Sequence, residues 1–331
     1  MIIETRAFAR AGLLGNPSDG YYGKTISIIV RNFGASVSLY ESPELHIEPT
    51  EQDLNVYKNL HELVESVNLT GYYGGSRLVK AAIKRFGEYC DKNRIKVNNK
   101  NFTIRYHSSI PRQIGLAGSS AIITATFRAL MQFYKVKIPV ELLPSIVLSV
   151  EMDELGINAG LQDRVIQTYE GCVYMDFNKD HLEKNGYGIY ESINPKHLPD
   201  LFIAYKTELG KVSGGVFNDV RARYQKGDKL VIETMDEIAS LADKGKKAIL
   251  NKNIKELNRL IDKNFDLRCK IMNIGESNKL LIETARSCGA SAKFTGSGGS
   301  IIGIYKDNEM LQRLVVALKS INARVIKPFT F

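Results

Sequence analysis

A glycine- and serine-rich loop, residues 111–121, constrains the fold of this chain more than any other segment. Apolar residues alternate with polar ones at residues 102–106, which predicts a strand, and recur at helical spacing over residues 122–133, which predicts a helix. Within the loop, Gly115 and Gly118 let the backbone approach an anion closely, and the first N–H groups of the helix have no partners inside it. This strand, loop and helix therefore predict an anion-binding site within a mixed α/β domain.

The hydroxyl groups of Ser119 and Ser120 can add hydrogen bonds to a bound phosphate or reach a magnesium ion attached to it. The loop lacks the Gly-Lys-Ser or Gly-Lys-Thr ending of a Walker A loop, so it does not belong to that class. The alternative interpretation is that the loop only caps the helix, because serine is a favoured capping residue.

The length of 331 residues favours two domains, and we place the boundary so that residues 1–196 and 197–331 form them. The N-terminal half combines strands and helices, with a hairpin predicted at residues 32–34. The C-terminal half begins with a short strand and continues with helices predicted over residues 214–245 and 254–269. It ends in a further helix and two strands, which makes it an α+β domain.

Composition excludes several classes of protein. The chain is 44% hydrophobic and 24% charged, as in ordinary soluble domains. It has no run of about 18 apolar residues and no basic-then-apolar N-terminal segment, so we expect a cytoplasmic protein that does not contact a membrane. Its four cysteines are widely spaced and have no nearby histidines, which argues against a zinc site or a disulfide framework.

The net charge of +9 comes from basic residues that are interleaved with acidic ones. A nucleic-acid-binding protein would concentrate them on one face, so we expect no nucleic acid partner. The charge instead serves solubility or attracts small anionic substrates.

Three segments resemble the signature motifs of one family, the GHMP kinases, which include galactokinase, homoserine kinase, mevalonate kinase and phosphomevalonate kinase. Pro111 followed by Gly-Leu-x-Gly-Ser-Ser-Ala at residues 115–121 resembles the second motif. Residues 9–19 resemble the first motif and residues 293–300 the third, in the order that the family requires. The resemblance therefore spans nearly the whole chain.

This resemblance implies a two-domain α+β fold, with an N-terminal α/β domain like ribosomal protein S5 and a C-terminal ferredoxin-like α+β domain. It also implies ATP and Mg²⁺ as cofactors and phosphoryl transfer to a small molecule by a monomer or a homodimer. The residues implied to bind the nucleotide are Pro111, Gly115, Leu116, Ala117, Gly118, Ser119, Ser120, Ala121, Gly296, Ser297, Gly298 and Gly299.

Asp163 stands where the family carries its catalytic aspartate, so the resemblance implies that it is the general base. Such a base must lie within hydrogen-bond reach of the attacking hydroxyl, and a neighbouring cation keeps it ionised. Arg10 resembles the arginine that partners this aspartate in galactokinases.

Glu151 is expected to be a magnesium ligand together with Ser120. At helical spacing Glu151 shares a face with apolar residues, and a buried carboxylate without a partner is costly. A Mg²⁺ ion on the nucleotide phosphates would provide that partner, whereas the alternative is a glutamate on a solvated helix face.

The expected substrate is a sugar. Asp19 takes the place of an aspartate that holds sugar hydroxyls in galactokinases, although an exposed turn is its alternative. Asn16 and Pro17 replace the Glu-His of galactokinases, which argues against galactose. Several stretches, among them residues 12–19, 159–165 and 173–177 and the group of residues 73–75 with Arg77, resemble the glucuronokinases within the family.

That closer resemblance implies transfer of the ATP γ-phosphoryl group to the anomeric hydroxyl of D-glucuronate, giving the 1-phosphate. The substrate carboxylate would need a cation, for which Arg164 and Lys24 are candidates, with Arg112 kept for phosphate and Gln162 as a further substrate-binding residue. The alternatives are a 1-kinase for galacturonate, a heptose or a neutral sugar, and a non-catalytic nucleotide or sugar sensor on the same fold.

Overall fold

A computed structural model describes residues 2–49, 74–207 and 214–331, with the side chains of residues 214–218 left out. Tyr73, in one of the stretches that resemble glucuronokinases, lies outside the described residues. The strands are β1 (Ile2–Leu14), β2 (Lys24–Ser42), β3 (His46–Ile47), β4 (Asn101–Ser108), β5 (Cys172–Asp176), β6 (Ile189–Ile193), β7 (Leu201–Lys206), β8 (Lys293–Phe294), β9 (Ser300–Ile304) and β10 (Ala323–Ile326). The helices are α1 (Gly75–Lys92), α2 (Gly118–Tyr134), α3 (Leu143–Ser149), α4 (Gln162–Tyr169), α5 (Lys179–Asn185), α6 (Gly214–Gln225), α7 (Lys229–Leu250), α8 (Ile254–Ile271), α9 (Glu276–Ser287) and α10 (Asn308–Lys319).

The chain divides into two compact units. The first comprises the described residues within Met1–Ala9, Asn32–Pro111 and Ala117–Thr168. The second comprises those within Arg10–Arg31, Arg112–Leu116 and Tyr169–Phe331. This division differs from the predicted single boundary after residue 196.

The first unit packs helices on a small sheet. Residues 35–42 of β2 pair antiparallel with β4, and β3 pairs parallel with β4. Helix α2 has no charged residue before Arg128 and is buried over most of its length, as expected for a helix that is apolar on nearly all sides. Phe86 of α1 packs edge-on against Phe127 of α2, with 6.0 Å between ring centroids. The predicted anion-binding helix is therefore a largely buried element of this unit.

The second unit contains an antiparallel sheet of strand order β10-β7-β9-β8. Residues 24–28 of β2 lie in the same unit but in the other sheet, where they pair with β5, which pairs with β6. Lys24 forms an ion pair with Asp243 of α7, 3.0 Å apart, which further links residues 10–31 to the C-terminal half of the chain. These contacts explain why the two units cannot be separated by a single boundary along the chain.

Two predicted elements differ from the structure. The hairpin predicted at residues 32–34 is absent from the described chain, because β2 runs through these residues and changes its partner from β5 to β4. The helix predicted over residues 214–245 is two helices, α6 and α7. Gly227 has a positive φ of 79°, and the Asp228 side chain accepts a hydrogen bond from the Val231 N–H, so a new helix begins there. No helix in the described ranges combines the length and hydrophobicity that a membrane crossing needs.

Asn264 of α8 offers a test of the packing in the second unit. Its buried side chain accepts from the Gly15 N–H at 2.8 Å and donates to the Asn16 carbonyl at 3.1 Å. Asn264→Ala would leave both backbone groups buried without a partner, so we expect it to lower the free energy of unfolding by about 2–4 kcal/mol. Urea denaturation followed by circular dichroism measures this loss.

Asn258→Ala on the same helix is the matched control, because the Asn258 side chain donates only to the carbonyl of Ile254 at an exposed position. We expect a change below about 0.5 kcal/mol for it. Equal effects of the two substitutions would contradict the assigned role of Asn264.

Candidate functional site

In the first unit, the start of helix α2 is held in a fixed, uncapped conformation. Ala117 precedes the helix in the left-handed region, with φ 62°, and its side chain makes no capping hydrogen bond. The Ala117 carbonyl accepts from the Gln167 side chain at 2.9 Å and from the Ser120 hydroxyl at 3.2 Å. A residue other than glycine at positive φ needs such support. Since neither serine acts as the N-cap, the interpretation of the loop as a mere cap is not favoured.

Glu151 is almost fully buried, 1% exposed, in a π-helical turn at Val150–Glu154 that follows α3. Its Oε1 accepts a hydrogen bond from the Ser119 hydroxyl at 2.6 Å, and its Oε2 accepts from the guanidinium of Arg164. The expected burial of Glu151 is confirmed, but the premise that its carboxylate lacks a protein partner was wrong. The structure also places Ser119 at this carboxylate, whereas the prediction paired Glu151 with Ser120, which is buried and bonded to Ala117.

Asp163 lies in the first turn of α4, where the helix dipole favours a negative charge. Its side chain is 15% exposed, and its Oδ2 lies 3.4 Å from Nη1 of Arg164. Contacts thus run from Ser119 through Glu151 and Arg164 to Asp163, and they place this aspartate in one cluster with the start of α2. We call these four residues the acidic cluster.

Arg164 was a candidate partner for a substrate carboxylate, and the structure argues against that role. The side chain is 3% exposed and already lies against two protein carboxylates, while Nη1 also donates to the Gly160 carbonyl at 2.7 Å. A buried guanidinium in this position neutralises protein charge and has little surface left for a ligand. Gln162, the other predicted substrate-binding residue of this segment, is also buried.

The acidic cluster fits a magnesium ion that arrives with phosphate groups. Two carboxylates and one guanidinium leave it with a formal charge of −1, so a further cation is favoured there. In the described ranges no group of three or more His, Cys, Asp or Glu side chains could hold a metal by itself. Mg²⁺ commonly takes only one or two protein carboxylates and completes its shell with phosphate oxygens and water.

In the second unit, the two glycine-rich loops touch through their backbones. The Gly115 carbonyl accepts from the Arg10 guanidinium at 2.5 Å and from the Thr295 hydroxyl at 3.1 Å. At Gly296 a Cβ atom would lie 2.5 Å from the Gly115 carbonyl oxygen, so only glycine fits there. Parts of all three signature motifs therefore meet within this unit.

Three buried cations lie beside these loops, namely Arg10, Arg268 and Lys293, and we call them the cationic group. Arg268 donates to the Gly296 carbonyl at 2.8 Å. Lys293 donates to the carbonyls of Gly12 at 2.7 Å and Phe294 at 2.9 Å, and to the side-chain oxygen of Asn16.

The pKa values of the cationic group reflect crowded, buried positive charge. Burial lowers the pKa of Arg268 to about 10, and Arg10 adds to this effect, while Asp19 and Tyr21 oppose it. Burial, followed by the charges of Arg268 and Arg10, lowers the pKa of Lys293 well below its ordinary value. An anion bound nearby would relieve this repulsion.

Sequence reasoning missed Arg268, although a signal for it exists. Arg268 lies at helical spacing with the buried positions Leu257, Ile261, Asn264 and Ile271 of α8. The same argument that singled out Glu151, a charge on an apolar helix stripe, would have found it.

The remaining predicted residues lie in the second unit. Lys24 pairs with Asp243 at 3.0 Å and Asp176 at 3.5 Å, and the hydrogen bond to Asp243 is the main cause that raises its pKa. Two protein carboxylates would repel a third from a substrate, so the structure argues against Lys24 as its partner. Asp19 is half-buried in a 3₁₀ turn at Ser18–Tyr21. The pairing of Arg10 with Asp163 stays a prediction.

Comparisons with known proteins agree with the motifs. The family model of the GHMP kinases N terminal domain matches residues 77–171, and that of the GHMP kinases C terminal matches residues 246–323. The chain is 46% identical over 306 residues to glucuronokinase 1 of Arabidopsis thaliana, covering 91% of this chain and 84% of the relative. It is 24% identical over 224 residues to D-glycero-alpha-D-manno-heptose 7-phosphate kinase of Campylobacter jejuni, covering 66% and 65%.

Solved structures share the fold at low sequence identity. The Lin0012 protein from Listeria innocua aligns with a TM-score of 0.81 at 15% identity, covering 100% of this chain and 98% of that one. Lactococcus lactis galactokinase complexed with galactose aligns with a TM-score of 0.80 at 16% identity, covering 99% and 93%. The expected two-domain fold of mixed helices and sheets is confirmed. With both family models matched and a relative 46% identical along most of its length, this chain belongs to the GHMP kinase family.

Proposed function

We propose that this protein transfers the γ-phosphoryl group of ATP to the anomeric hydroxyl of D-glucuronate and produces glucuronate 1-phosphate. The observation that carries the proposal is the acidic cluster, in which Asp163 is linked through Arg164 and Glu151 to Ser119 at the start of α2. A candidate base and an anion-binding helix start thus lie in one group of contacts. The 46% identity to a protein named glucuronokinase supports the sugar, and the family supports the reaction type.

The triphosphate is proposed to bind at the start of α2, whose N–H groups and dipole favour anions. In the second unit, the guanidinium groups of Arg10 and Arg268 lie against the backbone of the two glycine-rich loops and give the loop at residues 296–299 a positive potential that also favours phosphate. The proposed nucleotide-binding residues remain Pro111, Gly115, Leu116, Ala117, Gly118, Ser119, Ser120, Ala121, Gly296, Ser297, Gly298 and Gly299.

Glu151 with the hydroxyl of Ser119 is proposed to hold Mg²⁺, and Ser120 stays a predicted ligand. When bound, the metal would neutralise charge that develops on the phosphates. In this arrangement Arg164 serves Glu151 and Asp163 as a fixed counter-charge, which orients both carboxylates.

Asp163 is proposed to accept the proton of the anomeric hydroxyl as its oxygen bonds to the γ-phosphorus and the bond to the leaving ADP oxygen breaks. Arg164, with Nη1 3.4 Å from Oδ2 of Asp163, holds the carboxylate in place for this step. Arg10 is proposed to assist Asp163. Asp19 is proposed to accept hydrogen bonds from sugar hydroxyls, and Gln162, which was predicted to bind the substrate, is buried beside Asp163 in the chain.

An assay of ADP release with Mg²⁺ present tests the substrate. The panel contains D-glucuronate, D-galacturonate, a heptose and neutral hexoses. We expect the highest kcat/KM for D-glucuronate, because the relatives that the chain matches over most of its length carry that name. Robust turnover of a neutral sugar alone would contradict the sugar-acid assignment, and ATP binding without turnover of any sugar would favour a sensor.

Asp163→Asn tests the base. The amide keeps the shape of the carboxylate but cannot accept a proton, so we expect kcat to fall about 10²- to 10⁴-fold while the Kd of ATP changes little. Single-turnover kinetics and calorimetric titration with ATP measure the two quantities. Asp153→Asn is the control, because Asp153 is a well-exposed residue of the same unit, paired with Arg85 on the surface. A small effect of Asp163→Asn on kcat would exclude proton transfer to Asp163 as an important step.

Glu151→Gln tests the proposed metal ligand. We expect the Mg²⁺ concentration for half-maximal activity to rise about 10- to 100-fold, because a neutral amide is a weaker ligand than a carboxylate. Glu154→Gln is the control, since Glu154 lies in the same turn and pairs with Lys84 and Arg85. If both variants, shown to be folded by circular dichroism, require the same Mg²⁺ concentration, Glu151 is not a metal ligand.

A further inference from the structure

The loop at residues 296–299 is held at Gly299 from two elements of the second unit. The backbone N–H of Lys206, at the end of β7, donates to the Gly299 carbonyl at 3.0 Å. The Gly299 N–H in turn donates to Oδ1 of Asn278, in the first turn of α9, at 3.1 Å. Asn278 lies outside the three signature motifs, so its contact with this loop is known only from the structure.

The contact with Gly299 determines which way the Asn278 amide faces. A backbone N–H can only donate, so the atom opposite it must be the amide oxygen, and the NH₂ group lies on the other side. This NH₂ group lies beside Gly298, where a Cβ atom would come within 3.1 Å of Nδ2. Gly298 also has a positive φ of 123°, which favours glycine. Since glycine has no side chain, the loop does not cover the NH₂ group.

The NH₂ group of Asn278 has no hydrogen-bond partner within the ranges that the structure describes, and the side chain is only half-buried. Its surroundings favour an anion. Arg268 donates to the carbonyl of Gly296 in the same loop, and the first turn of α9 is the positive end of that helix dipole. The acidic residue of this turn, Glu276, is paired with Lys279 at 3.0 Å.

We propose that Asn278 is a further nucleotide-binding residue, whose NH₂ group donates a hydrogen bond to a phosphate oxygen while its oxygen holds the Gly299 N–H. This inference rests on the proposed function, which takes the loop at residues 296–299 as a nucleotide-binding segment. A hydrogen bond to a charged phosphate oxygen is stronger than one between neutral groups. One side chain thus fixes the backbone of the loop and contacts the ligand of the loop.

Asn278→Asp and Asn278→Ala test the proposal in the full-length protein. Aspartate keeps an acceptor for the Gly299 N–H but replaces the NH₂ donor by a charged oxygen that repels phosphate, whereas alanine removes both contacts. We expect the Kd of ATP, measured by calorimetric titration, to rise about 10-fold in Asn278→Ala and about 100-fold in Asn278→Asp. These factors span the range for a lost hydrogen bond to a charged group. The KM for D-glucuronate should stay unchanged in both variants.

The order of the two variants distinguishes ligand binding from a purely structural role. If Asn278 only held the loop, aspartate would preserve the contact with Gly299, and Asn278→Asp would bind ATP more tightly than Asn278→Ala. That order, or an unchanged Kd in both variants, would overturn the proposal.

Asn258→Asp and Asn258→Ala are the matched controls. Asn258 of α8 is also half-buried, and its side chain donates only to the carbonyl of Ile254. These variants make the same changes of size and charge in the same unit, so we expect the Kd of ATP to change less than about twofold. Circular dichroism shows whether the four variants are folded. If Asn258→Asp weakens ATP binding as much as Asn278→Asp, the added charge acts by general repulsion and the assignment of Asn278 is wrong.

Binding and turnover together separate this inference from the proposed function. ATP binding that Asn278→Asp weakens more than Asn278→Ala, without turnover of any sugar, would support the role of Asn278 and overturn the kinase activity. Turnover of D-glucuronate with a Kd of ATP that neither variant changes would overturn the role of Asn278 and leave the kinase activity in place. Absence of ATP binding by the unmodified protein would overturn both.

Discussion

The buried pair of Glu151 and Arg164 is the interaction on which the candidate site depends. Both side chains are almost excluded from water, and removing one member of such a pair costs about 3–5 kcal/mol because the other remains as an uncompensated charge. Each member also contacts a residue with a proposed role, since Glu151 accepts from Ser119 and Arg164 lies against Asp163. The pair therefore connects the helix start to Asp163, the proposed base, so stability and the proposed function would depend on the same contact.

Close approach of the backbone, rather than side-chain packing, determines the conformation of the two glycine-rich loops in the second unit. Gly115 has a positive φ of 72°, and a Cβ atom there would lie 2.8 Å from the Gly298 carbonyl oxygen. The buried Arg10 and Arg268 donate to the carbonyls of Gly115 and Gly296 in these loops. Carbonyl oxygens satisfy hydrogen-bond donors without cancelling their charge, so the loops remain in a positive potential. A site for anions needs that property.

The sequence allowed the loop, the order of the motifs and the burial of Glu151 to be predicted, because each depends on local spacing. The partner of Glu151 could not be predicted, since periodicity indicates that a charge is buried but not which distant residue faces it. The choice between Ser119 and Ser120 depends on a rotation of about 100° per residue, which exceeds the precision of a predicted helix start. The continuous strand β2 was missed because the signal at residues 32–34 is local, whereas β5 and β4 pair with it from far along the chain.

The net charge of +9 does not tell where the buried charged groups lie. The first unit concentrates an acidic cluster of formal charge −1, and the second unit holds the three cations of the cationic group. Surface lysines and arginines contribute little to recognition because solvent screens them, whereas buried charges act through a less polarisable medium. The expectation that positive charge attracts small anions therefore stays a prediction, and composition alone could not say which charges would serve it. The buried charges are a small fraction of all charged residues, and their burial by the fold, rather than their number, determines the electrostatic potential at these two groups.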